Sequence, residues 1–189
     1  MVAAAVEPRQ PANNTHLGMT LAYIGLGANL GTAQGSPRST LDAAIADLAL
    51  VPHTRIVACS PCYQTTPVEA SGPDYTNAVV ALDTTLDAAS LLAVCLSIEV
   101  LHGRIRPAVA DAKPAENNPP RSLDLDLLLY GDSIINTPYI TLPHPRMHQR
   151  AFVLAPLAEI APGLVIPGHG SVSDCLETVG GQGFLRITT

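Results

Sequence analysis

Asp124 and Asp126 stand two residues apart in the run LDLDLLLY, Leu123 to Tyr130. If that run is a strand, alternate side chains share a face. The two carboxylates then occupy one patch, roughly 6–7 Å apart, while Leu123, Leu125 and Leu127 turn to the opposite side. Two acids held so close call for a cation. Hard divalent metal suits carboxylate oxygens, and Mg²⁺ takes one or two carboxylates together with phosphate oxygens. A pair of metals about 4 Å apart could be bridged by such acids. The alternative is an edge strand that displays solvated carboxylates.

The surroundings of the pair favour metal and phosphate. Ten residues are basic, and all but Lys113 are arginine. Five of the nine arginines flank the acids: Arg104, Arg106 and Arg121 before them, Arg146 and Arg150 after. Guanidinium forks match phosphate oxygens in two-point contacts and stay charged. Paired acids beside several arginines is the layout for a polyphosphate. Surface ion pairs between these same groups are the competing explanation. His144, in the stiff Pro143-His144-Pro145 turn, could hydrogen-bond a phosphate or simply shape the turn.

Other patterns carry less. Cys59-Ser60-Pro61-Cys62 has β-like flanks on both sides and no second cysteine pair, so it reads as ordinary thiols rather than a redox or zinc site. In Gly25-Leu26-Gly27-Ala28-Asn29-Leu30-Gly31 the third glycine comes one position late for a dinucleotide fingerprint, and no acid follows at the right distance. A P-loop is excluded, because Lys113 lies in no Gly-x-x-x-x-Gly-Lys context.

The chain that must position these residues has 189 of them, about one domain's worth. It is 47% hydrophobic and 14% charged, with a net charge of −6. That balance argues against a nucleic-acid partner, which would want a basic face. No run of about 20 apolar residues suggests a membrane span. Residues 1–20 lack the basic start and apolar run of a secretory signal and read as a flexible arm before a single domain, 21–189. Four cysteines are too few for a disulfide scaffold. A cytoplasmic protein is expected.

Periodicity gives the elements. Leu21 to Ala28 reads as a buried strand. Ser36 caps a helix with Pro37 at its first position, and Leu41, Ala44, Ile45 and Leu48 form its apolar face. Thr54 to Tyr63 is a β segment broken by Pro61, Gln64 to Asp74 a loop, and Asn77 to Leu82 a strand. A helix fits Asp87 to Leu101, with Leu91, Leu92, Val94, Cys95, Ile98 and Leu101 inward. Pro107 to Pro120 is a long loop of the kind that forms lids. After the acidic strand come short strands near Ile134–Ile135 and Tyr139–Leu142. Helices follow over Ala151 to Ile160, despite Pro156, and Ser173 to Val179. The order β-α-β-β-α-β predicts an α+β, ferredoxin-like sandwich: a mainly antiparallel sheet with helices on one face.

Several segments together resemble the 6-hydroxymethyl-7,8-dihydropterin pyrophosphokinases of folate biosynthesis. They are AYIGLGANLG (Ala22 to Gly31), YQTTPVEASGPDYTNAVVAL (Tyr63 to Leu82), IEVLHGRIR (Ile98 to Arg106), PRSLDLDLLLYG (Pro120 to Gly131) and LPHPRMHQRAFVLAPLAEIAP (Leu142 to Pro162). The resemblance implies that ATP passes its pyrophosphoryl unit to the pterin's hydroxymethyl group, leaving AMP. It implies two Mg²⁺ ions on Asp124 and Asp126, and Arg104, Arg106 and Arg121 as catalytic residues that close over the triphosphate. His144 and Arg150 match further ATP-binding residues. Thr65, Thr66, Val68, Tyr75, Asn77 and Phe152 match the pterin site, with Phe152 stacking on the ring. Asn118 stands where a tryptophan is frequent, and Pro145 where an aromatic is. ATP and the pterin are the expected partners of a monomer, with neither nucleic acid nor membrane. A metal-dependent phosphohydrolase and a non-catalytic nucleotide-binding regulator would use the same acids and arginines.

Overall fold

The computed structural model describes residues 18–31, 35–66, 72–104 and 121–187. The expectations for residues 1–17, Val68, Arg106, Asn118 and the 107–120 loop lie outside them.

The chain opens with β1 (Thr20–Ala28), whose small and apolar residues suit the middle of a sheet. Ser36 then caps α1 (Pro37–Ala49), its hydroxyl accepting from Ser39 N at 3.3 Å. β2 (Thr54–Cys59) and β3 (Tyr63–Thr65) follow as two pieces. Pro61 cannot donate to a ladder, so the predicted segment divides there. β3 also takes Gln64 and Thr65 from the predicted loop. Both pieces pair with β4 (Tyr75–Thr84), β2 along its later half and β3 along its start.

Asp87 caps α2 (Ala88–Leu101) through Ser90 N at 2.7 Å. The buried stripe of α2 runs through Leu91, Cys95 and Ile98 and on to His102, which is hydrogen-bonded to Asp47 of α1 at 2.7 Å. Those spacings of four, three and four carry Leu101 outward, against expectation. β5 (Asp124–Tyr130) completes the first half. Strands β3/β2, β4, β1 and β5 lie in that order, every pair antiparallel. This is the expected ferredoxin-like arrangement.

The second half adds β6 (Ile135–Asn136), β7 (Thr141–Leu142), a 3-10 turn (Met147–Gln149) and α3 (Ala151–Ile160). It ends with β8 (Val165–Ile166), β9 (Gly170–Ser171), α4 (Val172–Thr178) and β10 (Leu185–Arg186), the last pairing with β3. Helices cover both faces of the sheet rather than one. Ile24, Leu26, Val80, Leu82, Leu125 and Leu127 meet α1 and α2. Tyr23, Val79, Ala81, Leu128 and Leu129 meet α3 and α4. A bulge explains how neighbouring leucines of β5 serve the second layer. The register with β1 slips between Tyr23 and Ile24, so Leu128 and Leu129 both turn to that side.

Leu91 is fully buried between α2 and the sheet. Leu91→Ala should cost about 2–5 kcal/mol of stability, read as a lowered urea midpoint with the slope unchanged.

Candidate active site

Register sets the floor of the site. β1 lies between β4 and β5, pairing Gly27 with Asn77 on one side and Asp124 on the other. The next row on that face is Val79, Gly25 and Asp126. Facing residues in an antiparallel pair share a side, so Asn77, Asp124 and Asp126 all project toward the α3 layer. The two glycines leave a gap one strand wide between the amide and the acids. A Cβ at Gly27 would lie 3.2 Å from Asn77 Oδ1, and one at Gly25 would touch Leu128 at 3.4 Å. Over this floor is a basin of about 640 Å³. Its lining brings together Thr65, Thr66, Tyr75, Asn77, Arg104, Arg121, Asp124, Asp126, His144, Arg150 and Phe152. Every described residue expected in the site therefore reaches one cavity.

At the acidic end, Asp124 is held by two arginines. Arg121 Nη1 donates to its Oδ2 at 2.7 Å, and Arg104 Nη1 donates to its Oδ1. Arg104 also contacts Glu99 Oε1 at 2.5 Å. Glu99 is 1% exposed and accepts from Leu125 N at 2.8 Å, capping the free edge of β5. The turn that delivers Arg104 is tight: Gly103 has φ +84°, and Arg104 N donates back to the Glu99 carbonyl at 3.0 Å. Arg121 is fixed by Asn29, whose Oδ1 accepts its N–H at 2.8 Å and whose own N–H donates to its carbonyl at 3.2 Å.

Asp126 has looser company. His144 Nε2 is 4.0 Å and Arg150 Nη1 3.9 Å from its Oδ2. Burial, then the charge of Asp124, pushes its carboxyl up from 3.8 to about 6, against the pull of Arg150, Arg121 and Arg104. His144 moves the other way. Burial, then the Arg150 cation, lowers it to about 4, so it is neutral near pH 7. Its Nδ1 accepts from Arg146 N at 3.2 Å, which places the ring proton on Nε2, facing Asp126. The histidine is a donor here, not a cation.

At the opposite end Asn77 is 5% exposed and its Nδ2 donates to Thr65 Oγ1 at 2.9 Å. That bond turns Oδ1 out over Gly27. Phe152 lines the wall, with the Arg150 guanidinium 5.5 Å from its ring centroid. The cysteines take no part. Cys59 is exposed, Cys62 is buried in the α1–α2 core, and both are free thiols.

Comparison with known proteins gives the family. The family model described as 7,8-dihydro-6-hydroxymethylpterin-pyrophosphokinase (HPPK) matches residues 23–162. This chain belongs to that family. Its reaction is pyrophosphoryl transfer from ATP to 6-hydroxymethyl-7,8-dihydropterin, a step of folate biosynthesis. A 2-amino-4-hydroxy-6-hydroxymethyldihydropteridine pyrophosphokinase of Methylorubrum extorquens is 41% identical over 170 residues, covering 89% of this chain and 99% of that one. The enzyme of the same name from Pseudomonas aeruginosa is 38% identical, covering 87% and 95%. A Plasmodium falciparum HPPK-DHPS crystal structure with pterin and p-hydroxybenzoate shares the fold at a TM-score of 0.65 and 13% identity. That match covers 94% of this chain but 49% of the solved one, so the pyrophosphokinase spans about half of it.

Four residues that shape the basin, or hold the side chains lining it, were not among the expected site residues. Glu99 had a signal, a lone acid on an apolar helix five residues before Arg104. Asn29 had a weaker one, a polar residue closing a buried strand. Gly25 and Gly27 matter by having no side chain, which only strand register reveals.

Two outcomes test this geometry. Gly27→Ala should displace the Asn77 amide and raise the KM for pterin about tenfold, while ATP affinity measured by calorimetry is unchanged. Asp126→Asn should raise the Tm of the metal-free enzyme at pH 7.5. A carboxyl raised from 3.8 to about 6 favours the fold below pH 4 and loses that contribution as pH climbs through 6. The gain should therefore grow between pH 4 and 6 and stay level above. Partial exposure of the side chain keeps it to a few degrees.

Proposed function

We propose that the basin performs the family's transfer with triphosphate at the Asp124 end and pterin at the Asn77 end. Asp124 and Asp126 are the residues that would hold two Mg²⁺ ions. The donor set suits magnesium: two carboxylates on one face, with no larger ligand cluster among the described residues, leave room for water and phosphate oxygens. Bound Mg²⁺ supplies charge neutralisation and polarisation of the phosphoryl oxygens.

The chain's own residues do the rest. Arg104 and Arg121 now neutralise Asp124, and the triphosphate offers them a second set of oxygens. With Arg106 they pass to it as ATP binds, which closes the site and excludes water. Arg150 adds a cation, and His144 a neutral N–H donor. Asn77 Oδ1 accepts from the amino edge of the pterin, Thr65 and Thr66 line the basin beside it, and Tyr75 and Phe152 enclose the ring; Val68 would add a backbone group. The hydroxymethyl oxygen then attacks the β-phosphorus in line, and AMP leaves. Positioning and charge stabilisation carry the rate.

The observation that bears most of this is the row Asn77–Gly27–Asp124. It has an amide suited to reading the ring and a carboxylate suited to holding metal on opposite sides of one open strand. The enzyme is proposed to act as a monomer, with residues 21–189 as its single domain. The described cysteines are free, in keeping with a reducing cytoplasm. No helix among the described residues is long and apolar enough to cross a membrane.

AMP release from ATP, with and without the pterin alcohol, is the direct test. Pterin-dependent AMP is expected; phosphate release without pterin would mean a hydrolase instead. The Asp124→Ala, Asp126→Ala double variant should form no AMP, and normal activity at ordinary Mg²⁺ would sink the metal assignment. Arg121→Ala should lower kcat about 10²–10³-fold with ATP binding changed far less. Equal losses in both would make it a ground-state contact.

A further inference from the structure

Gln182 lies beyond the 23–162 span matched by the family, in the tail between α4 and β10. Its side chain reaches back to the basin and lines it. There its amide makes two hydrogen bonds. Oε1 accepts from Ala151 N at 3.0 Å, and Nε2 donates to the Gln149 carbonyl at 2.9 Å. Those two backbone groups bracket Arg150.

Arg150 is a joint. It closes the 3-10 turn and opens α3, with extended backbone at φ −123° and ψ 107°. The first N–H groups of a helix have no partner within it. No side chain at the N-cap of α3 supplies one. Gln182 provides it from 31 residues further along the chain. From this joint the Arg150 guanidinium projects to 3.9 Å from Asp126. Phe152, on the first turn of α3, lies under the same guanidinium. Whatever fixes the joint therefore aims both side chains.

The tail is itself anchored on either side of Gln182. Gln182 N donates to the Val179 carbonyl at 3.0 Å, at the end of α4. Three residues later Leu185 pairs with Gln64 of β3, and Phe184 meets the Tyr63 ring edge-on at 5.9 Å. An amide held at both ends can hold something else.

We propose that Gln182 is a positioning residue for the transfer reaction. It clamps the peptide groups on either side of Arg150, and so sets the aim of Arg150 at the triphosphate and of Phe152 at the pterin. It takes no part in the chemistry. The proposal rests on the roles given to Arg150 and Phe152 above.

The test compares Gln182→Met, Gln182→Glu, Arg150→Ala and the Gln182→Met, Arg150→Ala double variant. Methionine keeps the length and loses both hydrogen bonds. Glutamate keeps the acceptor for Ala151 N and loses the donor to Gln149. Gln182→Met should raise the KM for ATP and for pterin about tenfold, with kcat within about threefold of the parent. Gln182→Glu should recover part of the loss for pterin, through the Ala151 bond, and none for ATP, because its carboxylate opposes the Gln149 carbonyl and adds an anion to the basin. In the Arg150→Ala background, Gln182→Met should change the KM for ATP less than about twofold, because the effect passes through Arg150. Unchanged KM values, or equal factors for the KM of ATP in both backgrounds, would overturn the proposal. So would a kcat loss with no change in KM. If Arg150→Ala alone leaves the KM for ATP unchanged, the assignment of Arg150 fails and the proposal with it. If Arg150→Ala raises it and Gln182→Met does not, the proposal alone fails. Should the methionine variant not fold, Gln182→Ala replaces it with the same expected outcomes.

Discussion

The pairing of β1 with β5 sets Gly27 beside Asp124 and Gly25 beside Asp126, and every distance in the basin follows from it. Side chains alternate along a strand, so a slip of one residue would bury both acids among the leucines and turn Leu125 and Leu127 into the site. The apolar layer beneath resists such a slip, because Leu125 and Leu127 are locked against α1 and α2. The bulge at Leu128 then releases the strand from strict alternation once the acids have been placed. One strand thus supplies the acidic face, a share of the first core and, after the bulge, a share of the second.

Charge in the basin is arranged before any substrate arrives. Asp124 has arginines on both oxygens, and Glu99 shares one of them from within the fold. Partial burial and the charge of Asp124 lift the Asp126 carboxyl to about 6. His144 is neutral for a matching reason, burial beside the Arg150 cation. A net charge of −6 over the chain gives no hint of this. Electrostatics at contact distance depend on a few paired groups, and salt screens the rest.

Much of this was legible in the sequence, and the reasons differ by residue. Asp124 and Asp126 could be read because strand period and acid chemistry point the same way. The caps at Ser36 and Asp87 begin their helices where the residue types suggest. The second helical layer was not legible, since periodicity says which side of α3 is apolar but not which face of the sheet it meets. Leu101 misled because it is apolar and next to a stripe that actually runs into His102. Gln182 could not have been found, being a polar residue in a glycine-rich tail whose partners lie 31 and 33 positions away.

The glycine floor also bears on how the enzyme could evade an inhibitor. A planar ligand resting over Gly25 and Gly27 touches main chain, and main chain cannot be trimmed by substitution. Added bulk is the route left to a mutation at either position. At Gly27 that bulk meets Asn77 and at Gly25 it meets Leu128, the first an amide facing the floor and the second part of the core. Bulk at Gly27 would have to shift the Asn77 amide. Resistance is therefore steered toward the rim of the basin, where side chains can change without disturbing the sheet.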